Sequence, residues 1–76
     1  MNSNTISISP DVLSGTPVFK DTRVPIKNLF DYLETGKTVE EFLLGFPSVK
    51  KEQAVEVLEI AERFVESLNP NYEIAA

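Results

Sequence analysis

Residues 37–69, KTVEEFLLGFPSVKKEQAVEVLEIAERFVESLN, decide how the rest of the chain is read. Thr38 opens a short helix. Its hydroxyl is placed to accept from the Glu41 amide while the Glu41 carboxylate reaches back to the Thr38 N–H, the reciprocal pattern of a capping box. Val39, Phe42 and Leu43 follow at helical spacing, and Gly45 with Pro47 stops this helix within a turn. A longer helix starts at Lys50 or Lys51 and runs to about Leu68, ahead of Asn69-Pro70. At ~100° per residue, Ala54, Val57, Leu58, Ala61, Phe64, Val65 and Leu68 gather on one face. Two helices joined by a tight turn, the second longer, give the outline of a helix-turn-helix.

Working back towards the N-terminus, Pro25 suits the first position of a helix, where a missing amide costs nothing. Ile26, Leu29, Phe30 and Leu33 then line one face as far as Gly36, a good C-terminal stop. Before it, Thr5-Ile6-Ser7-Ile8-Ser9 alternates polar and apolar as a short strand does. Asp11 to Pro17 is turn-like, with Gly15 suited to a positive φ. Val18-Phe19 and Arg23-Val24 flank Lys20-Asp21-Thr22 as the arms of a small hairpin. This β arm either caps the helical core or pairs between subunits, since strands so short are marginal alone. The expected plan is a mainly α, three-helix helix-turn-helix domain with a short N-terminal β arm. It divides into an arm over 1–24, a core over 25–69 with helices at about 25–35, 38–45 and 50–68, and a fraying tail over 70–76.

The 76 residues amount to one domain, near the lower size limit for an independent core. There is no cysteine to staple it, so a homodimer is expected to add stability. The longest run of large apolar side chains, Phe42-Leu43-Leu44, is far too short for a bilayer. With no leader pattern either, a soluble cytoplasmic protein with no membrane contact is expected. Histidine is also absent, so the commonest general base, the thiol nucleophile and the commonest metal ligands are all missing. The spacings contain no phosphate loop, nucleophile elbow or calcium loop. A non-enzymatic role follows, with no cofactor and no metal site.

Pro10, Gly15, Pro17, Thr22-Arg23-Val24-Pro25, Gly36 and Phe46-Pro47, in this order, resemble the pattern of the small bacterial proteins of the domain of unknown function 433 family. That pattern runs from an Ile-x-x-x-Pro strand through Gly-x-Pro, Thr-Arg-Val/Ile-Pro and Leu-x-x-Gly. A short helix containing Glu-Glu, an aromatic-Pro turn and a long last helix complete it. The similarity covers about Ile6 to Leu68. It implies a winged-helix or homeodomain-like fold and a VapB-like antitoxin, encoded beside a PIN-like ribonuclease toxin and acting on its own promoter. Two positions depart from the pattern. Lys50 replaces a Thr or Ser that would cap the last helix, leaving Ser48 as the substitute cap. Asp21 stands where Gly is frequent, which weakens any argument for a strained turn before Thr22-Arg23.

Charge is the test of any contact with DNA. Residues 1–37 carry four acids against four bases, whereas residues 38–76 carry eight acids against three bases and so hold the whole net charge of −5. The outward face of the last helix reads Glu52, Glu56, Glu59, Arg63 and Glu66, with Arg63 one turn from Glu59 and placed to pair with it. Only the first turn is fit for DNA: Lys50 and Lys51 for phosphate or guanine, Gln53 for an adenine edge. Lys50 and Lys51 are equally readable as solvated lysines. Lys20, Arg23 and Lys27 of the arm supply a second cationic zone, although Arg23 also fits a structural clamp onto Asp21 or nearby carbonyls. Thr22 reads as a turn cap.

Val55 and Ile60 widen the apolar face of the last helix to about 200°. That surplus calls for another subunit, another protein, or the β arm lying over one flank. With Glu59, Glu62, Glu66, Tyr72 and Glu73 they form the candidate partner surface, whose carboxylates suit the basic rim of a nuclease. The expected function is thus an antitoxin-like DNA-binding protein that neutralises a PIN-like toxin. The alternative is a protein–protein adaptor of helix-turn-helix shape that leaves DNA alone.

Overall fold

A computed structural model of the protein describes residues 5–69. It is a mainly α domain of three helices with a short antiparallel β pair at its N-terminal side. Strand β1 (Ile6–Ser7) pairs with β2 (Val18–Phe19), Ile6 opposite Phe19 and Ser7 opposite Val18. The arm therefore pairs within its own chain. The expected hairpin of Val18-Phe19 with Arg23-Val24 shrinks to a single bridge, Val18 to Pro25, and a bond from the Phe19 amide to the Val24 carbonyl at 3.0 Å. Thr22 closes that turn as expected: its hydroxyl donates to the Phe19 carbonyl at 2.8 Å and accepts from the Val24 amide at 3.0 Å. The turn is nevertheless left-handed, with Asp21 at φ +63°. Aspartate tolerates this region better than most residues, because its short side chain can bond locally. The departure from glycine thus leaves the turn geometry in place.

Helix α1 (Ile26–Glu34) starts one residue after Pro25, which stands at the N-cap and not inside the first turn. Its end is a full Schellman motif. Gly36 sits at φ +87°, its amide donates to the Leu33 carbonyl, and the Lys37 amide reaches the Tyr32 carbonyl, both at 3.0 Å. Helix α2 (Val39–Gly45) carries the expected capping box: Glu41 N–H to Thr38 Oγ1 at 3.1 Å, Thr38 N–H to Glu41 Oε1 at 3.0 Å. Gly45 is its last helical residue. A Cβ there would meet the Tyr32 hydroxyl at 2.9 Å, so this glycine permits close approach and needs no positive φ.

The turn from Phe46 to Lys50 is closed by the Val49 amide donating to the Phe46 carbonyl at 3.0 Å, and Val49 plugs into the core. Helix α3 (Lys51–Glu66) has Lys50 at its N-cap with no side-chain cap, so Ser48 does not take that place. Instead the Gln53 carboxamide oxygen accepts from the Lys50 N–H at 2.9 Å, half of a capping box.

The core consists of Phe19, Leu29, Phe42, Val49, Ala54 and Val57. Phe42 lies at its centre, with ring centroids 5.8 Å from Phe19, 5.6 Å from Tyr32 and 5.0 Å from Phe46. Phe19 belongs to the arm and has no solvent exposure. The arm is therefore structural to the core and not a lid over it.

Candidate functional site

The cationic candidates separate into two groups. Lys20, Lys50 and Gln53 come together around a depression of about 350 Å³ between the turn after β2 and the start of α3. Asp21, Glu52 and Glu56 line the same depression, so two lysines face three carboxylates. Gln53 is committed inside the fold. Besides its bond to the Lys50 N–H, its Nε2 donates to the Lys20 carbonyl at 3.1 Å, tying α3 to the arm across 33 residues of sequence. Bidentate contact with an adenine would require it to release both bonds. We expect Gln53→Ala to lower stability by about 1–2 kcal/mol, measured by urea unfolding, while Lys50→Ala leaves the midpoint nearly unchanged.

Lys51 and Lys27 lie elsewhere. Lys51 Nζ is 3.8 Å from Glu40 Oε2, both side chains being mostly exposed. Lys27 Nζ sits on α1, 2.9 and 2.8 Å from the two Asp31 carboxylate oxygens. That hydrogen bond, and then the negative charge of Asp31, hold the Lys27 ammonium above the ordinary lysine value. These are the two ion pairs among the described residues, so Arg63 is not paired with Glu59. Arg23 is exposed and clamps neither Asp21 nor a carbonyl. On α2, Leu44 is 83% exposed. In a docked helix-turn-helix the first helix crosses the sugar–phosphate backbone, a poor setting for a bare leucine.

The second face is apolar. Ile6, Ile26, Phe30, Val57, Ile60, Ala61, Phe64 and Val65 line an open groove of about 430 Å³ with no charged residue in it. Ile26 and Phe30 continue into a neighbouring depression bordered by Lys27, Asp31 and Glu34. The cause is a mismatch in helix length. Helix α3 has 16 residues and α2, the helix it packs against, has 7, about 24 Å against 10 Å at 1.5 Å per residue, so the last turns of α3 outrun their cover. Phe64 and Val65, which periodicity assigns to the buried face, are 66% and 57% exposed. Of the two residues expected to widen that face, Ile60 lines the groove whereas Val55 points elsewhere and is 39% exposed. Glu59, Glu62 and Glu66 are exposed along α3. Tyr72 and Glu73 lie outside the described residues. Periodicity missed the groove because it reports which residues share a face, not what covers it. The unequal helix lengths, legible in the sequence, were the available signal.

Among the described residues no group of three or more carboxylates is arranged to hold a metal ion, and no helix is long and apolar enough to cross a membrane. The geometry supplies two binding surfaces, one polar and one apolar. A family model described as "Protein of unknown function (DUF433)" matches residues 6–61. The chain belongs to this family. The matched span runs from β1 into the groove-lining part of α3, so within this DUF433 domain both surfaces lie largely in the shared region. The chain is also similar to "Uncharacterized protein y4eO" of Sinorhizobium fredii (strain NBRC 101917 / NGR234), at 40% identity over 48 residues. Those residues are 63% of this chain and 22% of the relative, so the match spans about a fifth of that longer protein. No solved structure matches this DUF433 chain.

Proposed function

We propose that this DUF433 domain is a non-enzymatic binding module of the antitoxin type, whose main task is to hold a partner protein. The observation that carries the reading is the uncharged groove between α1 and α3, set beside a helix rich in exposed carboxylates. An apolar patch rimmed by charge is the usual mark of a protein-binding surface. An acidic domain of this kind also complements the basic rim of a nuclease. A PIN-like ribonuclease encoded beside it is the proposed partner, and a homodimer the proposed resting form. The test is co-purification with the tagged product of the neighbouring open reading frame. Capture of that product with loss of its ribonuclease activity is the expected result, and no capture would remove the antitoxin reading.

DNA binding is the secondary part of the proposal, and the clustering of Lys20 and Lys50 is what favours it. Two phosphate contacts at this cluster make affinity fall roughly tenfold between 50 and 200 mM salt. A mobility shift on the protein's own upstream DNA at those two concentrations reads this slope. Lys50→Glu with Lys51→Glu is expected to abolish the shift. No shift at low salt would leave a protein–protein adaptor that does not bind DNA.

A further inference from the structure

The walls and the rim of the groove specify the chemistry of what fits it. We infer that it receives an amphipathic helix of a partner protein whose flanks carry lysine or arginine. The inference rests on the protein-binding reading above and specifies the partner's contacting element.

The long walls are helical, Ile26 and Phe30 on α1 and Ile60, Phe64 and Val65 on α3, and the one strand that also lines the groove, β1 with Ile6, is only two residues long. Helix interiors have no spare backbone N–H or C=O, so an added strand finds no ladder to join. A third helix meets no such obstacle, because its apolar side chains pack into the furrow between the other two. The part of α3 from Val57 to Val65 is about 12 Å long at 1.5 Å per residue, room for two to three turns of a docked helix.

The rim then distinguishes a foreign helix from a second copy of this chain. On the α1 side stand Asp31 and Glu34, with Lys27 already paired to Asp31. On α3, Glu62 lies about 60° around the helix from Val65, and Glu56 and Arg63 lie about 40° and 60° beyond Ile60. With Lys27 and Asp31 paired to each other, three carboxylates remain around the groove against one cation, one of the three, Glu56, also lining the polar depression. A second copy joined groove to groove would set the same acidic rim against itself, and like charges facing each other across an interface oppose it. A helix with basic flanks meets both the apolar floor and the acidic border.

The probes are two synthetic helices of about 14 residues with the same leucine stripe, one flanked by lysine and one by glutamate. Each is titrated against the full chain by fluorescence anisotropy. The lysine-flanked helix is expected to bind at least tenfold tighter. Phe64→Glu and Val65→Glu alter largely exposed positions, so the fold survives, as melting curves will confirm. Each is expected to weaken binding at least tenfold while making the protein more acidic, which a purely electrostatic attraction could not do. Leu44→Glu adds the same charge away from the groove and should leave binding intact.

Equal affinity for the two probes, binding of neither, or full binding by Phe64→Glu would overturn the inference. So would a dimer in sedimentation equilibrium that Phe64→Glu dissociates and that excludes the lysine-flanked probe, since the occupant would then be a second copy. Capture of the neighbouring gene product by Phe64→Glu as efficiently as by the wild type would sink the groove assignment alone. Probe binding without capture would sink the antitoxin reading alone.

Discussion

Phe42→Ala is expected to leave the protein at or near its unfolding midpoint at physiological temperature. Truncating a buried phenylalanine costs about 3–5 kcal/mol, the lost transfer free energy plus the cavity left behind. A chain of 76 residues has about 4–11 kcal/mol in total, and small domains without staples sit low in such a range. Phe42 is fully buried and touches rings contributed by the arm, by α1 and by the inter-helix turn: Phe19, Tyr32 and Phe46. No neighbouring element can collapse into the space without releasing another. Thermal melts followed by circular dichroism should show a drop of at least about 12 °C. Phe64→Ala, at an exposed site, should change stability by no more than about 0.5 kcal/mol. A drop below 5 °C for Phe42→Ala would mean that the aromatic cluster is not the core described.

The second large effect concerns the arm. A chain starting at Pro25, which retains all three helices, is expected to lose cooperative unfolding and most of its helical signal. The deletion removes Val18 and Phe19, 2% and 0% exposed, and opens the apolar faces of Leu29 and Phe42 to water. Burial of each such side chain contributes about 1.5–3 kcal/mol, so losing two of them and uncovering two more exceeds what a domain of this size has in reserve. The bond from Gln53 to the Lys20 carbonyl goes with them. Isolated helices of 7 to 16 residues are marginal in water without tertiary packing. A sharp melt of the shortened chain would make the arm an accessory cap, the first of the two roles its sequence allows.

Arm residues separate what is legible from what is not. That Ile6 and Val18-Phe19 are strand-like follows from β-branching and alternation. That they pair with each other across ten intervening residues depends on Gly15 and its neighbours reversing the chain, with Leu13 and Ser14 also at positive φ. No residue-type rule assigns a leucine to that region. Gln53 carries the same lesson at the candidate site. Its position in the first turn of α3 matches a base-reading residue, yet its amide is held by two backbone groups, one of them 33 residues away. Helix propensity and capping are blind to such a partner.

By itself the sequence determined the three helices, the Thr38–Glu41 capping box, the Gly36 stop, the Thr22 turn cap and the family, because each rests on residues a few positions apart or on their linear order. Tertiary structure alone decided that Phe19 is core, that Phe64 and Val65 are surface, and that Ile26 and Phe30 face them across an open groove. The reason is geometric. A periodic face is buried only as far as a neighbouring element extends along it, and α2, the helix packed against α3, is shorter than α3 by nine residues.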